Sequence, residues 1–169
     1  LARRGGTGAV DALIRALADT DPLVRAAAAQ GLGELEDDRA AAALGKALDD
    51  KNRTVRYHAA HALGELASPG SAESLVAALT DNEWCVRNEA AWALREINDP
   101  RVVQLLADAV NKDGGPTMDR VAWILQRADP ARLRTLLIAT LQDGDAAGRY
   151  LAQLAELARG LNRFQTSEL

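Results

Sequence analysis

Apolar residues along this chain recur at helical intervals, and the whole pattern then repeats. The segments DPLVRAAAAQGLGEL, NRTVRYHAAHALGEL and EWCVRNEAAWALREI align without a gap. Val24, Val55 and Val86 stand 31 residues apart, and Leu32, Leu63 and Leu94 keep the same step. Between these segments, Leu17, Leu48, Leu79, Val110 and Leu141 repeat at the same interval. Inside each segment the apolar positions fall at i, i+3, i+4 and i+7, which is the spacing of a helix face rather than of a strand.

Each unit therefore reads as two helices. Helix A is carried by stretches such as RAAAALGKALDD and SAESLVAALTD, and helix B by the VRxxAAxAL segments. Turn chemistry separates them at Asp21-Pro22, Ser68-Pro69-Gly70, Asn98-Asp99-Pro100, Gly114-Gly115-Pro116 and Asp129-Pro130. Pro22 and Pro100 suit a first helical turn, where a missing N–H costs little. One such helix pair cannot bury its apolar face, but stacked neighbours can. The expectation is an all-α, right-handed α-solenoid of about five antiparallel helix pairs, forming one domain over 1–169. Its repeats run approximately 7–36, 37–67, 68–98, 99–128 and 129–160, with 161–169 as a frayed tail.

Composition agrees with this reading and narrows the function. The chain of 169 residues is 48% hydrophobic but only 4% aromatic, the mix of closely packed alanine- and leucine-rich helices. Its formal charge of −4 comes from interspersed acids and bases. Without a basic block, a general nucleic-acid surface is not expected. The single cysteine, Cys85, cannot form an internal disulfide framework. No apolar run reaches the length of a bilayer span, and LARRGG at the start has no signal-peptide core. A cytoplasmic location is expected. Leu1 falls 31 before Leu32, in the core column of helix B. This predicts that the chain starts inside a preceding repeat and is a segment of a larger protein.

The motif D-x-x-x-x-V-R-x-x-A-A-x-A-L-G runs from Asp50 to Gly64 and nearly as well from Asp19 to Gly33. It also holds from Asp81 to Leu94, where Arg95 replaces the glycine, and is looser from about Asp99 onward. These residues resemble the HEAT-like repeats, particularly the short version found in phycobilin lyase subunits and related bacterial proteins. The resemblance covers nearly the whole chain and implies architecture; functions within such a family differ widely.

Two charged columns accompany the core. Arg25, Arg56, Arg87 and Arg149 share one place in the repeat, and Asp19, Asp50, Asp81 and Asp143 share another six residues earlier. Both columns break in the fourth unit, at Met118 and Lys112. Joint loss predicts a structural Asp–Arg pair across each A–B turn, with the aspartates also accepting bonds from exposed helix N–H groups.

At 100° per residue, Val24, Ala28, Leu32 and Leu35 face helix A, as do their equivalents. The positions two and six after the valine point the other way. They read Ala26 and Gln30, Tyr57 and His61, Asn88 and Trp92, Asp119 and Trp123. The neighbouring column adds Ala27, His58, Glu89 and Arg120. Core columns stay constant while these vary, as a tailored surface on a uniform frame would. Tyrosine and tryptophan are favoured at binding hot spots. Candidate partner-binding residues are thus Tyr57, His58, His61, Asn88, Glu89, Trp92, Asp119, Arg120 and Trp123. The alternative is that the tryptophans pack between repeats. In HEAT-like proteins this B-helix surface is commonly the concave one. Trp84, at a turn, is expected to cover the core edge.

Other chemistry finds little support. His58 and His61 stand one turn apart with Glu65 a turn further, yet no third strong metal ligand is evident. Some HEAT-like hydroxylases hold two irons with His-Glu pairs directly after the repeat arginine. Here those places read Tyr57-His58, Asn88-Glu89 and Asp119-Arg120, so that activity is not implied. No GxSxG elbow or phosphate loop occurs, and Cys85 has no histidine partner. No cofactor and no metal are expected. A protein or peptide partner is the leading expectation. Chromophore handling, as in phycobilin lyase subunits, is the alternative, with a tetrapyrrole lying along the same residues. The last helix, AAGRYLAQLAELARGL, puts Tyr150, Leu154 and Leu157 in columns open elsewhere. Either its register slips or it makes an additional contact.

Overall fold

A computed structural model describes residues 7–97 and, beyond them, 99, 101–102, 105–106 and 108–109. The chain divides into two compact units, Leu1–Leu105 and Leu106–Leu169. The elements described below belong to the first. The expected fifth repeat and the ends of the chain lie outside the described residues, as does most of the fourth.

The described elements are all helical: α1 (Thr7–Ala16), α2 (Pro22–Leu35), α3 (Ala41–Ala47), α4 (Arg53–Leu66), α5 (Ala72–Ala78) and α6 (Trp84–Glu96). Helices α2, α4 and α6 are the B helices, and each starts 31 residues after the last. Helix α1 packs on α2, α3 on α4 and α5 on α6, making three helix pairs. B helices also pack on their neighbours, α2 on α4 and α4 on α6, while α3 meets α5. The unit is thus two layers of helices, one of A and one of B.

The core lies between the layers. Leu32, Leu44, Leu63, Leu75, Leu79 and Leu94 are buried, as are Val55 and Val86. Each buried leucine contributes roughly 1.5–3 kcal/mol. Alanines at 28, 29, 59, 60, 90 and 91 are buried with them. Their small side chains let the helix axes approach closely. Val24 departs from its column: it is 40% exposed where Val55 and Val86 are fully buried. Among the described residues α2 has only α1 before it, whereas α4 and α6 each follow a complete pair. Ala26, expected on the open side, is buried.

Helix starts follow local chemistry. The side chain of Asp21 accepts from the Leu23 N–H, that of Asn52 accepts from Thr54, and Pro22 takes the first turn of α2. Glu83, the third member of this column, makes no such bond. Helices α3 and α5 are shorter than the apolar stretches predict, each entered through a 3₁₀ turn, Asp38–Ala40 and Pro69–Ser71. At the first turn the Asp37 carboxylate accepts from Arg39 N–H, and at the second Pro69 sets φ.

Candidate functional site

The arginine column is the first charged feature that the helices position. Arg25 and Arg56 project from the first turns of α2 and α4. Arg25 Nη1 donates to the carbonyls of Asp19 and Thr20, at 2.8 and 3.1 Å. Its Nε and Nη2 donate to both oxygens of Asp50, at 2.7 and 2.9 Å. Arg56 repeats the arrangement one unit on. It binds the carbonyls of Asp50 and Lys51 and forks onto Asp81 at 2.6 and 3.0 Å. This corrects the expected pairing. Asp19 serves Arg25 through its backbone carbonyl, and the carboxylate comes from the next repeat, 25 residues on. An arginine side chain is long enough to span adjacent turns, and a planar fork fits a carboxylate with two parallel bonds.

The aspartates also organise the turns. Asp19, Asp50 and Asp81 each accept from the N–H two residues later, at 2.8 Å. The Arg25 hydrogen bond, the Asn52 N–H and nearby positive charge hold the Asp50 carboxyl below the usual carboxylate range, against the effect of burial. For Asp81 burial is the largest influence and pushes upward. The Arg56 and Glu83 hydrogen bonds, with the charges of Arg56 and Arg87, outweigh it and leave the group lowered. Arg87 donates to the carbonyls of Asp81 and Asn82, at 2.7 and 2.9 Å. Asp143, Arg149, Met118 and Lys112 lie outside the described residues.

The variable stripe comes together as an aromatic stack across two repeats. Tyr57 and His61 lie parallel on α4, ring centres 6.4 Å apart and planes within 5°. His61 stacks on Trp92 of α6 at 5.5 Å and 20°. His58 meets Tyr57 edge-on at 5.3 Å. His61 Nδ1 donates to Glu89 Oε1 at 2.6 Å, while its Nε2 lies 3.6 Å from Glu65. Burial, and then the nearby His61, lower the His58 pKa against the pull of Glu89. The charge of Glu89, followed by burial, raises that of Tyr57.

Glycines make this approach possible. A Cβ on Gly64 would collide with the Trp92 ring and sit 3.0 Å from Ala93 Cβ. One on Gly33 would meet the Glu65 carboxylate and lie 3.0 Å from Ala62 Cα. Trp92 therefore lies over a gap in α4, so packing between repeats does occupy part of the stripe. The same rings stay half-buried rather than covered, and Asn88 and Gln30, which share their repeat columns, are exposed. Asp119, Arg120 and Trp123 lie outside the described residues.

Two features were not anticipated. Trp84 is 68% exposed at the first turn of α6 and does not cover the core edge. A groove of about 610 Å³ lies between α3, α5 and the turns after them, lined by Gly45, Leu48, Asp49, Glu73 and the Arg56–Asp81 pair. Its walls come mainly from the A helices and the A–B turns, and none of the stacked rings lines it. Among the described residues no three of histidine, cysteine, aspartate and glutamate are placed to hold a metal, and no helix is long and apolar enough to cross a membrane.

The family model for HEAT repeats matches residues 1–57 and 41–125. No curated protein matches the sequence significantly. Among solved structures, the chain is similar to an engineered protein at 22% identity and a TM-score of 0.54, covering 86% of this chain and 79% of that one. It is similar, too, to the complex of CpcE and CpcF of phycocyanin lyase from Nostoc sp. PCC7120. That match has 21% identity and a TM-score of 0.56, over 95% of this chain and 77% of that one. These likenesses concern the fold. The HEAT-repeat match spans well over half of the sequence, and the chain belongs to the HEAT-repeat family.

Proposed function

We propose that this chain is a non-catalytic protein–protein interaction scaffold that seats its partner on the B-helix face. Tyr57, His58, His61, Asn88, Glu89 and Trp92 form the part on α4 and α6. Asp119, Arg120 and Trp123 hold the same sequence columns in the fourth repeat, and their part in partner binding is proposed from the sequence alone. One observation carries the reading: the residues that vary between repeats gather into a half-exposed aromatic stack on a uniform alanine and leucine frame. Rings already fixed by their neighbours lose little entropy on binding, which favours them as anchors. A photo-crosslinking residue at Asn88 tests this against one at Glu73 on the A side. Partner crosslinks from Asn88 and none from Glu73 are expected. The reverse pattern would remove the reading.

The likeness to the phycocyanin lyase complex gives a second reading, a chromophore-handling subunit with a tetrapyrrole along the same rings. Addition of a bilin, followed by absorbance, separates the two. A spectral shift lost on Trp92→Leu would favour the lyase-like role.

A further inference from the structure

Resting on the reading of the B-helix face as the docking surface, we infer that its partner segment is an extended basic peptide with arginine or lysine at every third position. Charge complementarity is the first support. Glu34, Glu65 and Glu96 occupy one column, ten residues after each valine, and all three are exposed. At 100° per residue this column lies between those of His61 and His58, on the same side of the helix as the stack. Glu89 adds a fourth carboxylate beside His61. On α2 and α4 the arginines of the ladder are tied to the turns through Asp50 and Asp81 instead. On α6, Arg95 bonds to Glu96 at 3.1 Å, so the acidic character is strongest at the first two steps.

Spacing is the second support. Packed helices lie about 8–10 Å apart, and the glycine and alanine contacts here allow close approach. Carboxylates repeating once per B helix therefore recur at about that interval. A polyproline II segment rises about 3.1 Å per residue, so every third side chain returns to the same side after about 9 Å. A strand returns after two residues, at about 6.7 Å, and loses register. The rings supply the third element. A guanidinium stacks on an aromatic plane while its donors reach a carboxylate at the edge. Tyr57 and Trp92 each stack on His61, and Glu65 and Glu89 flank that ring, so aromatic planes and carboxylates stand together along the stripe.

Fluorescence anisotropy with the full chain tests this. The probes are labelled (Arg-Pro-Pro)4, (Arg-Pro)4 with the same charge but a two-residue interval, and (Glu-Pro-Pro)4. The first should bind, about threefold or more tighter than the second, and the acidic peptide should not bind. The double variant Glu34→Gln, Glu65→Gln keeps side-chain size while removing both charges, and circular dichroism checks its fold. It should weaken the first peptide about tenfold at low salt. Equal binding by the two arginine peptides, unchanged binding by the double variant, or no arginine peptide bound would each overturn the inference. If no arginine peptide binds while Asn88 still crosslinks a partner, only the basic segment is lost. Failure of both removes the docking face as well.

Discussion

Ser71 is a hydroxyl in a place built for a methyl group. Its column reads Ala40, Ser71 and Val102, all buried, and its Oγ has no hydrogen-bond partner. Removing a buried donor that is not bonded relieves a desolvation cost. Ser71→Ala should therefore stabilise the fold by about 1 kcal/mol, read as a higher urea midpoint; a lower midpoint would show that the hydroxyl is satisfied. Ala67 is misplaced in a different sense. It caps α4 at φ 46°, the left-handed region, and Glu36 does the same for α2 at φ 50°. A side chain there costs about 1 kcal/mol that glycine avoids. Ala67→Gly should raise stability by about 0.5 kcal/mol, once the greater freedom of glycine in the unfolded chain is set against the gain. Thermal melts of the single variant check this. Neither feature was legible as strain in the sequence, because alanine and serine are unremarkable residues until burial and φ are known.

Helices repeat this lesson at the next scale. The B helices were readable, because valine, alanine and leucine mark one face in each, and Asp21-Pro22 marks where α2 starts. The meaning of Gly64 was not. As a helix residue glycine costs about 1 kcal/mol against alanine, which on propensity alone predicts that Gly64→Ala stabilises. Packing predicts the opposite, since the new methyl would face the Trp92 ring and Ala93 Cβ at 3.0 Å. Overpacking costs about 1–3 kcal/mol, so a net loss of about 1 kcal/mol is expected, with reduced near-ultraviolet dichroism if Trp92 is displaced. A stabilised variant would mean that α4 and α6 can move apart freely. The exposure of Trp84 belongs to this scale too. Its column reads Pro22, Arg53, Trp84, the opening residue of each B helix. Helix position, rather than the apolar character of one ring, governs where it lies.

Across the first unit as a whole, the two forked arginine–aspartate bonds fasten each repeat to the next. Sequence periodicity identified the partners' residue types but not the pairing. An aspartate six before the arginine and one 25 after it belong to the same 31-residue column, so only the reach of the side chain decides between them. Double-mutant cycles make the distinction measurable. Arg56→Met should cost about 1–2 kcal/mol, a value reduced by partial exposure to solvent, and should couple more strongly to Asp81→Asn than to Asp50→Asn. Stronger coupling to Asp50→Asn would restore the pairing within one repeat. The same bonds set the response to acid. Asp50 and Asp81 are held below the ordinary carboxylate range in the folded chain, so they take up protons less readily there than when unfolded. Their contribution is thus fully present above the unfolded value of about pH 4 and is lost as pH falls through the lowered folded values. Wild type should lose stability steeply below about pH 4. An Asp50→Asn, Asp81→Asn variant should be weaker at pH 7 yet flatter in acid, so that the two urea midpoints converge as pH decreases. Parallel curves would show that these carboxylates are not the acid-sensitive fastenings between repeats.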